Sequence, residues 1–540
     1  MNKALLIPLL GLIVLYCGCV IPPLAGGSSQ QGNGVVAGYI VSANGLPATG
    51  VKIRVRPTTY VQTPGAATDV NGGFDAITDM TGHFSVSGIH PGSYTIEAND
   101  KASSAALVSA TIEEQNSAAD IGIIGLKPYA RIFGVVDAAA TVSYPQRYVQ
   151  VQGLERLARV GQDGSFAFAD LPEGCFDLTI VALDSMTAPV ELFGINAASD
   201  ATASVVIPAG WRYVRRFRLN TTASGADVAG NVTNFPVLVR LTAGNFDFSQ
   251  ARNDGADIRF TKSDNSFLPC EIERWDPVAG LAEIWVKADT VYGNDSMQYL
   301  TMFWGNVGAV PPTNSKAVFD TASGFAGVWH LGETGDSVHD ATGNAFNGKN
   351  SGGNPAPGMI GNAEYFSNGN YIKIPGLLNL PSNVTLSAWV RSDTAAGRGQ
   401  DIVSLGDAVL IRFDDVKGLG TGGSYHNNPV VNDSMYGRVS SGYYLAKTGW
   451  HYLAFSINTA THVQTLYIDG VKSVNTQDGN PIYYAGLGTD TYIGIHGNGK
   501  TGFNFIGQID EVRVNSISVA SDWVKLCFMN QKARDALVRW

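Results

Sequence analysis

Cysteine is scarce: the 540-residue chain has five, Cys17, Cys19, Cys175, Cys270 and Cys527. Two stand near the N-terminus and three lie far apart, which excludes a disulfide scaffold and a Cys-rich metal cluster. Each of the three is expected to act as a small buried apolar residue. Charge is also thin, 15% of the chain, with a net charge of −10 and a pI of about 5.3. Because no Lys/Arg-rich tract with interleaved aromatics occurs, nucleic acid is not expected as a partner. The eight histidines show no HxxxH or HExxH spacing, and the serines lack a GxSxG elbow. These absences remove zincin-type and acyl-transfer chemistry.

Glycine is abundant, at 63 residues, and Val, Thr, Tyr and Ile recur in short runs broken by Asn, Asp and Gly. That pattern predicts an all-β protein, and the length predicts several domains. At the N-terminus Lys3 precedes ALLIPLLGLIVLY, too short for a comfortable membrane span and laid out like a secretory signal. The LYCGC that follows resembles a bacterial lipobox, with Gly18 before Cys19. The resemblance implies a signal over 1–19, lipidation at Cys19, a flexible tether over 20–33, and export to the periplasm or cell surface on a membrane anchor. A plain cleaved signal or an uncleaved anchor are the alternatives.

TDMTGHFSVSGIHPGSYTIEA, from Thr78, aligns without a gap on VGQDGSFAFADLPEGCFDLTIVA, 82 residues later. Gly82 matches Gly164, Phe84 matches Phe166, Ile89 matches Leu171, Gly92 matches Gly174 and Tyr94 matches Phe176. Each copy reads as a turn, an alternating strand, a Pro/Gly loop and a second alternating strand, so two bead-like sandwiches are expected over 34–126 and 127–208. With AGYIVSANGLPATGVKIRV, this segment resembles the carboxypeptidase regulatory-like, or prealbumin-like, β-sandwich. The resemblance implies a stalk.

From Trp211, alternation with regular turn signals predicts a third antiparallel sandwich over 209–320. FPVLVRL, DGADIRF, LPCEIERWD, EIWVK and MFWGN resemble the bacterial family called domain of unknown function 2341. In 321–540, GVWHLGE, DATGNAFNG, YIKIP, LSAWV, LYIDG and FIGQIDEVRV resemble the laminin-G-like jelly roll of the concanavalin A-like lectin and glucanase superfamily. SVASDWVKLCFMNQKARDAL should close the chain as a short helix, with Val519, Trp523, Leu526 and Asn530 on one side and Ser518 or Ser521 as cap.

Three constellations could carry chemistry. Glu271 and Glu273, at i and i+2 on a strand, share a face about 6–7 Å apart, as a glycosidase pair or as the polar side of a half-exposed strand. Asp510 and Glu511 are adjacent on a strand and are expected to point to opposite faces, which prevents joint action. No ExDxxE run of the glucanase kind occurs in the roll segment. The third is HDATGNAFNG, where Asp340, Asn344 and Asn347 stand on a Gly-permitted bend. The laminin-G-like resemblance implies a structural Ca²⁺ held with Asp340 and Asp510 as side-chain ligands; the alternative is an Asx turn without metal.

Binding remains the expected class. GTGGSYHNNPVVND and TQDGNPIYYAGLGTD read as loops that combine Tyr with amide and carboxylate groups. Sugar rings stack on aromatics and hydrogen-bond to Asn and Asp, which makes Tyr425, His426, Asn427, Asn428, Asp478, Tyr483 and Tyr484 the candidate ligand contacts. The expected function is non-catalytic adhesion or recognition of a glycan or surface polymer, with a glycan hydrolase or an envelope-assembly component as rivals.

Overall fold

The computed structural model describes residues 34–65, 74–113, 118–136, 146–183, 189–311, 314–367, 369–393, 399–414, 418–428, 433–477, 480–499 and 503–540. It is nearly all β, in several sandwich sheets, with short helices at Ser315–Val318 and Ser521–Gln531. Among the described residues no helix is long and apolar enough to cross a membrane. Cys19 lies outside them. The chain divides into two compact units, one up to Arg215 with Trp540 and one from Arg216 to Arg539.

In the first unit, strand Gly34–Val41 lies between His83–Ile89, antiparallel, and Ala118–Gly125, parallel. The second copy repeats this: Ala130–Val136 lies between antiparallel Ser165–Leu171 and parallel Thr202–Ile207. Aligned residues are buried in both, as Phe84 and Phe166, Ile89 and Leu171, and Tyr94 and Phe176. Gly82 and Gly164 both have positive φ, and a Cβ would meet the Ile40 carbonyl oxygen at 2.4 Å or that of Val136 at 2.2 Å. Only glycine fits there.

Two expectations need adjustment. Lys127–Pro128 pairs with Ser104–Ile112 and so continues a sheet of the first sandwich. The copies are also more than beads. Arg156 donates to Glu97 at 2.5 Å, and Arg54 and Arg56 both pair with Glu155. Glu97 is only 1% exposed, so these buried charges need partners from across the module boundary.

The second unit begins with a sheet of Val232–Thr242, Leu281–Val291 and Cys270–Asp276. Tyr299–Trp304, Arg259–Thr261 and Phe267–Leu268 form its companion. The roll that follows has two sheets. The first runs Asn354–Pro357, Asn362–Phe366, Gly507–Asn515, Val384–Ser392, His451–Asn458, Val463–Ile468 and Val471–Thr476, with Phe325–Trp329 also on Gly507–Asn515. The second runs Ser337–Val338, Gly348–Ser351, Tyr371–Ile374, Thr491–Ile493, Gln400–Leu405, Val409–Asp414, Leu419–Asn428 and Asp433–Tyr444. Trp329, Phe366, Leu386, Ile411, Phe455 and Val512 fill the core between them.

The segment GTGGSYHNN is strand rather than loop. Glycine weakens a strand locally but admits a close neighbour. A Cβ at Gly422 would lie 2.2 Å from the Phe455 ring, and one at Gly423 would lie 2.1 Å from the Tyr436 hydroxyl.

The helix Ser521–Gln531 does form, and Trp523, Val524, Leu526, Cys527, Asn530 and Gln531 are buried on it. Neither expected serine caps it. Ala520 is the cap residue, while Ser518 bonds Ser456 at 2.8 Å. The helix packs against both sandwiches of the unit. Asn530 exchanges hydrogen bonds with both backbone groups of Leu238, and Trp389 donates to Gln531 at 2.8 Å. Arg240 donates to the carbonyls of Asn530 and Gln531 at the helix C-terminus, where a cation is favourable.

Candidate binding face and a buried acid–histidine cluster

Strand Val409–Asp414 alternates cleanly. Val409, Ile411 and Phe413 enter the core, which leaves Leu410, Arg412 and Asp414 on the outer face of the second sheet. The register continues that face: Asp401 stands beside Arg412, Gly423 beside Leu410 and Arg438, and Tyr425 beside Tyr436. The Tyr425 and Tyr436 rings are 5.0 Å apart at 47°. Because Gly423 has no side chain, Tyr436 lies across the strand above it.

A charged chain borders these rings. Arg412 Nε is 3.1 Å from Asp401 Oδ1, Asp401 Oδ2 is 2.8 Å from His496 Nδ1, and His496 Nε2 is 3.2 Å from Asp407. Arg438 reaches Asp414 at 3.6 Å. Phe503 packs on His496 at 4.7 Å, and the Arg412 guanidinium lies 5.1 Å over it. Burial would depress the His496 imidazole, but its bonds to Asp401 and Asp407 outweigh that and hold it at about 9. Burial pushes the Tyr436 hydroxyl up to about 12. Tyr436 stays partly open while Asp401 is fully buried. The result is an aromatic platform with a fixed row of donors and acceptors.

Of the expected contacts, Tyr425 and Tyr483 are brought together, since Tyr483 N–H donates to the Tyr425 carbonyl at 2.9 Å. His426 bridges Ile482 and is buried. Tyr484 is committed to the fold: its hydroxyl donates to the Pro381 carbonyl at 2.8 Å and its ring packs on the core. Asp478 and the side chains of Asn427 and Asn428 lie outside the described residues. Sequence reading passed over Arg412, Asp401, Asp407, Tyr436, His496 and Phe503. The alternation of VLIRFD could have exposed Arg412; His496, 95 residues from Asp401, left no local trace.

Of the residues expected to hold calcium, Asp340, Asn344 and Asn347 are engaged by the fold around their own turn. Asp340 Oδ1 accepts from the N–H groups of Val328 and Thr342, and Oδ2 accepts from Phe346 N–H and the Thr342 hydroxyl. Four donors fill a carboxylate's four acceptor positions. Asn347 Oδ1 accepts from Asp340 N–H, and Asn344 donates to the Ala326 carbonyl. Asp510 is anchored elsewhere through Oδ2, which accepts from Met359 and Ile360 N–H at 2.8 and 3.0 Å, while its Oδ1 is buried without a hydrogen-bond partner. HDATGNAFNG is therefore built as an Asx turn.

The other acids converge where alternation did not predict. Glu511 has a φ of +51°, and a register shift interrupts its strand between the partners of Ser387 and Trp389. This bulge breaks the expected opposition of Asp510 and Glu511, whose charges now act on each other. A second bulge stands at Glu273. Glu271 and Glu273 do share a side, but it is covered rather than half-exposed, because both face His330, at 3.5 and 3.4 Å. His330 Nδ1 also meets Glu511 Oε1 at 2.5 Å. Trp285 Nε1 donates to Glu273 at 2.6 Å, and Arg513 donates to Glu511 at 2.6 Å. His330 stacks on Trp285 and touches Phe319. Burial and the Glu511 charge push the Glu273 carboxyl up to about 8, despite His330.

Comparison with known families and structures bears on two segments. The family model described as concanavalin A-like lectin/glucanases superfamily (Laminin_G_3) matches residues 366–525, and that for domain of unknown function DUF2341 matches residues 254–332. No curated protein matches the chain. Among solved structures, domain 4 of an extracellular arabinanase from Geobacillus stearothermophilus, in complex with arabinotriose, is 20% identical with a TM-score of 0.30, covering 37% of this chain and 97% of that one. A CBM40 domain of a Ruminococcus gnavus IT-sialidase, bound to α2,3-sialyllactose, is 10% identical with a TM-score of 0.25, covering 30% and 94%. A protein from Bacteroides ovatus described as carbohydrate binding is 13% identical with a TM-score of 0.27, covering 57% and 81%. Scores this low place no constraint on function.

Proposed function

We propose that the outer face of the roll's second sheet binds a saccharide without cleaving it. The observation that supports this reading is the platform of Tyr425 and Tyr436 beside the fixed Arg412–Asp401–His496–Asp407 row. Aromatic rings offer apolar faces to sugar C–H groups; the buried Asp401 and His496 hold Arg412 and Asp407 in place, and the partly exposed Asp407, Asp414 and Arg438 are the groups open to hydroxyls. The acids are held by cations: Asp401 by Arg412 and His496, Asp407 by His496, and Asp414 by Arg412 and Arg438. That disposition suits recognition better than the unequal acid and base of a glycosidase. The laminin-G-like match over 366–525 spans most of these residues.

The remaining parts of the reading rest on sequence. Export and lipidation at Cys19 follow from the apolar run and the LYCGC segment, and the two N-terminal sandwiches serve as a stalk. Mass analysis of the mature N-terminus tests the anchor, since an unmodified Cys19 contradicts it. A glycan array probed with wild type and Tyr436→Ala tests the face. Retention by wild type and loss by the variant is the expected result. Release of reducing ends from any retained glycan would replace recognition with hydrolysis, and blank arrays for both proteins would point to a structural envelope component.

A further inference from the structure

We infer that Glu273, His330 and Glu511, with Glu271 at the rim, form a site for one divalent cation of the zinc or manganese type that ties the sandwich of residues 232–304 to the roll. One ligand atom from each of Glu273, His330 and Glu511 lies within 4.8 Å of the others. Zn²⁺ bonds of about 2.0–2.2 Å hold tetrahedral ligands roughly 3.3–3.5 Å apart. His330 Nδ1 and Glu273 Oε2 already stand at 3.4 Å, while the 2.5 Å contact with Glu511 must widen. An imidazole with carboxylates suits Zn²⁺ or Mn²⁺ better than an all-oxygen cation such as Ca²⁺.

A second observation points to a ligand at the same place. Glu273 Oε1 is buried without a hydrogen-bond partner, and Glu271 Oε2 and His330 Nε2 have only each other, at 3.5 Å. The Glu273 side chain is 8% exposed, and such groups normally find partners. The supporting shell is present as well: Trp285 orients Glu273, Arg513 orients Glu511, and Trp285 with Phe319 walls His330 from solvent. Charge balance agrees, because among the described residues Arg513 is the one fixed cation contacting Glu511, while Glu271, Glu273 and Glu511 gather around His330.

The three main ligands come from Cys270–Asp276, from the residue after Phe325–Trp329, and from Gly507–Asn515. An ion here would cross-link those strands. The site is closed, which makes it structural rather than catalytic.

Calorimetric titration of the chelator-treated full chain with Zn²⁺, and separately with Mn²⁺, tests the site. Wild type should take up one ion more than Glu273→Gln and gain in thermal midpoint where the variant does not. Glu273→Gln keeps the side-chain shape, and circular dichroism checks its fold. If it fails to fold, Glu271→Gln at the rim should fold and bind at least about tenfold more weakly. Equal stoichiometry in wild type and variant for both metals would overturn the inference and leave a cluster that holds only its own shared proton.

Discussion

Replacing Asn530 tests how the C-terminal helix joins the two sandwiches of the second unit. Leu238 pairs with Trp285 on one side of its strand, and on the free edge its N–H donates to Asn530 Oδ1 at 2.7 Å while its carbonyl accepts from Nδ2 at 3.0 Å. Asn530 thus stands in for a missing neighbouring strand, fully buried. Asn530→Ala would leave both backbone groups without partners or water. Each orphaned group costs about 1–2.5 kcal/mol, so the pair should cost roughly 2–5 kcal/mol. At about 2 °C per kcal/mol for a large unit, the midpoint should fall by roughly 4–10 °C. Calorimetry measures this, with Asn530→Asp, which sets a buried carboxylate against the Leu238 carbonyl and Asp535, expected to cost at least as much. A loss below about 1 kcal/mol would refute the reasoning, because it would mean that water reaches Leu238.

Three further outcomes are expected. Gly422→Ala drives a methyl into the Phe455 ring, 2.2 Å away, and should cost about 1–3 kcal/mol by urea denaturation, whereas an unchanged midpoint would show the strand free to shift. His496, raised to about 9 in the fold from an ordinary 6.5, contributes stability that is fully present below pH about 6.5 and lost as pH rises through about 9. His496→Gln should therefore flatten the fall in stability between those values, and an unchanged pH profile would remove the imidazolium from the account. Asp340→Ala strands four donors and should cost about 2–4 kcal/mol, equally in calcium and in chelator. A calcium-dependent midpoint in wild type would overturn the argument from filled acceptor positions.

Local features were legible in the chain and distant ones were not. The duplicated turn at Gly82 and Gly164 could be read because both glycines answer a need set within one hairpin and its neighbour. The Asp340 turn was legible for the same reason, since most of its donors lie within six residues. The Leu419–Asn428 strand was missed because Gly422 and Gly423 lower strand propensity, and their compensation comes from Phe455 and Tyr436, brought close only by folding. Alternation failed at Glu511, where a non-glycine residue takes a left-handed conformation that nothing in IDEVR announces. The His330 cluster unites side chains 181 residues apart, and no spacing rule reaches that far. The helix showed its apolar side, but its capping serine was misjudged because Ser518 bonds to Ser456 instead.

The central claim concerns the outer face of the second sheet. Its most direct measurement is a titration of the full chain with the best saccharide from an array, comparing wild type with Tyr436→Ala and Tyr425→Ala while circular dichroism tracks folding. Folded variants that bind at least about tenfold more weakly, the loss of roughly 1.4 kcal/mol expected for an aromatic platform, would support the assignment. Undiminished affinity in both would contradict it.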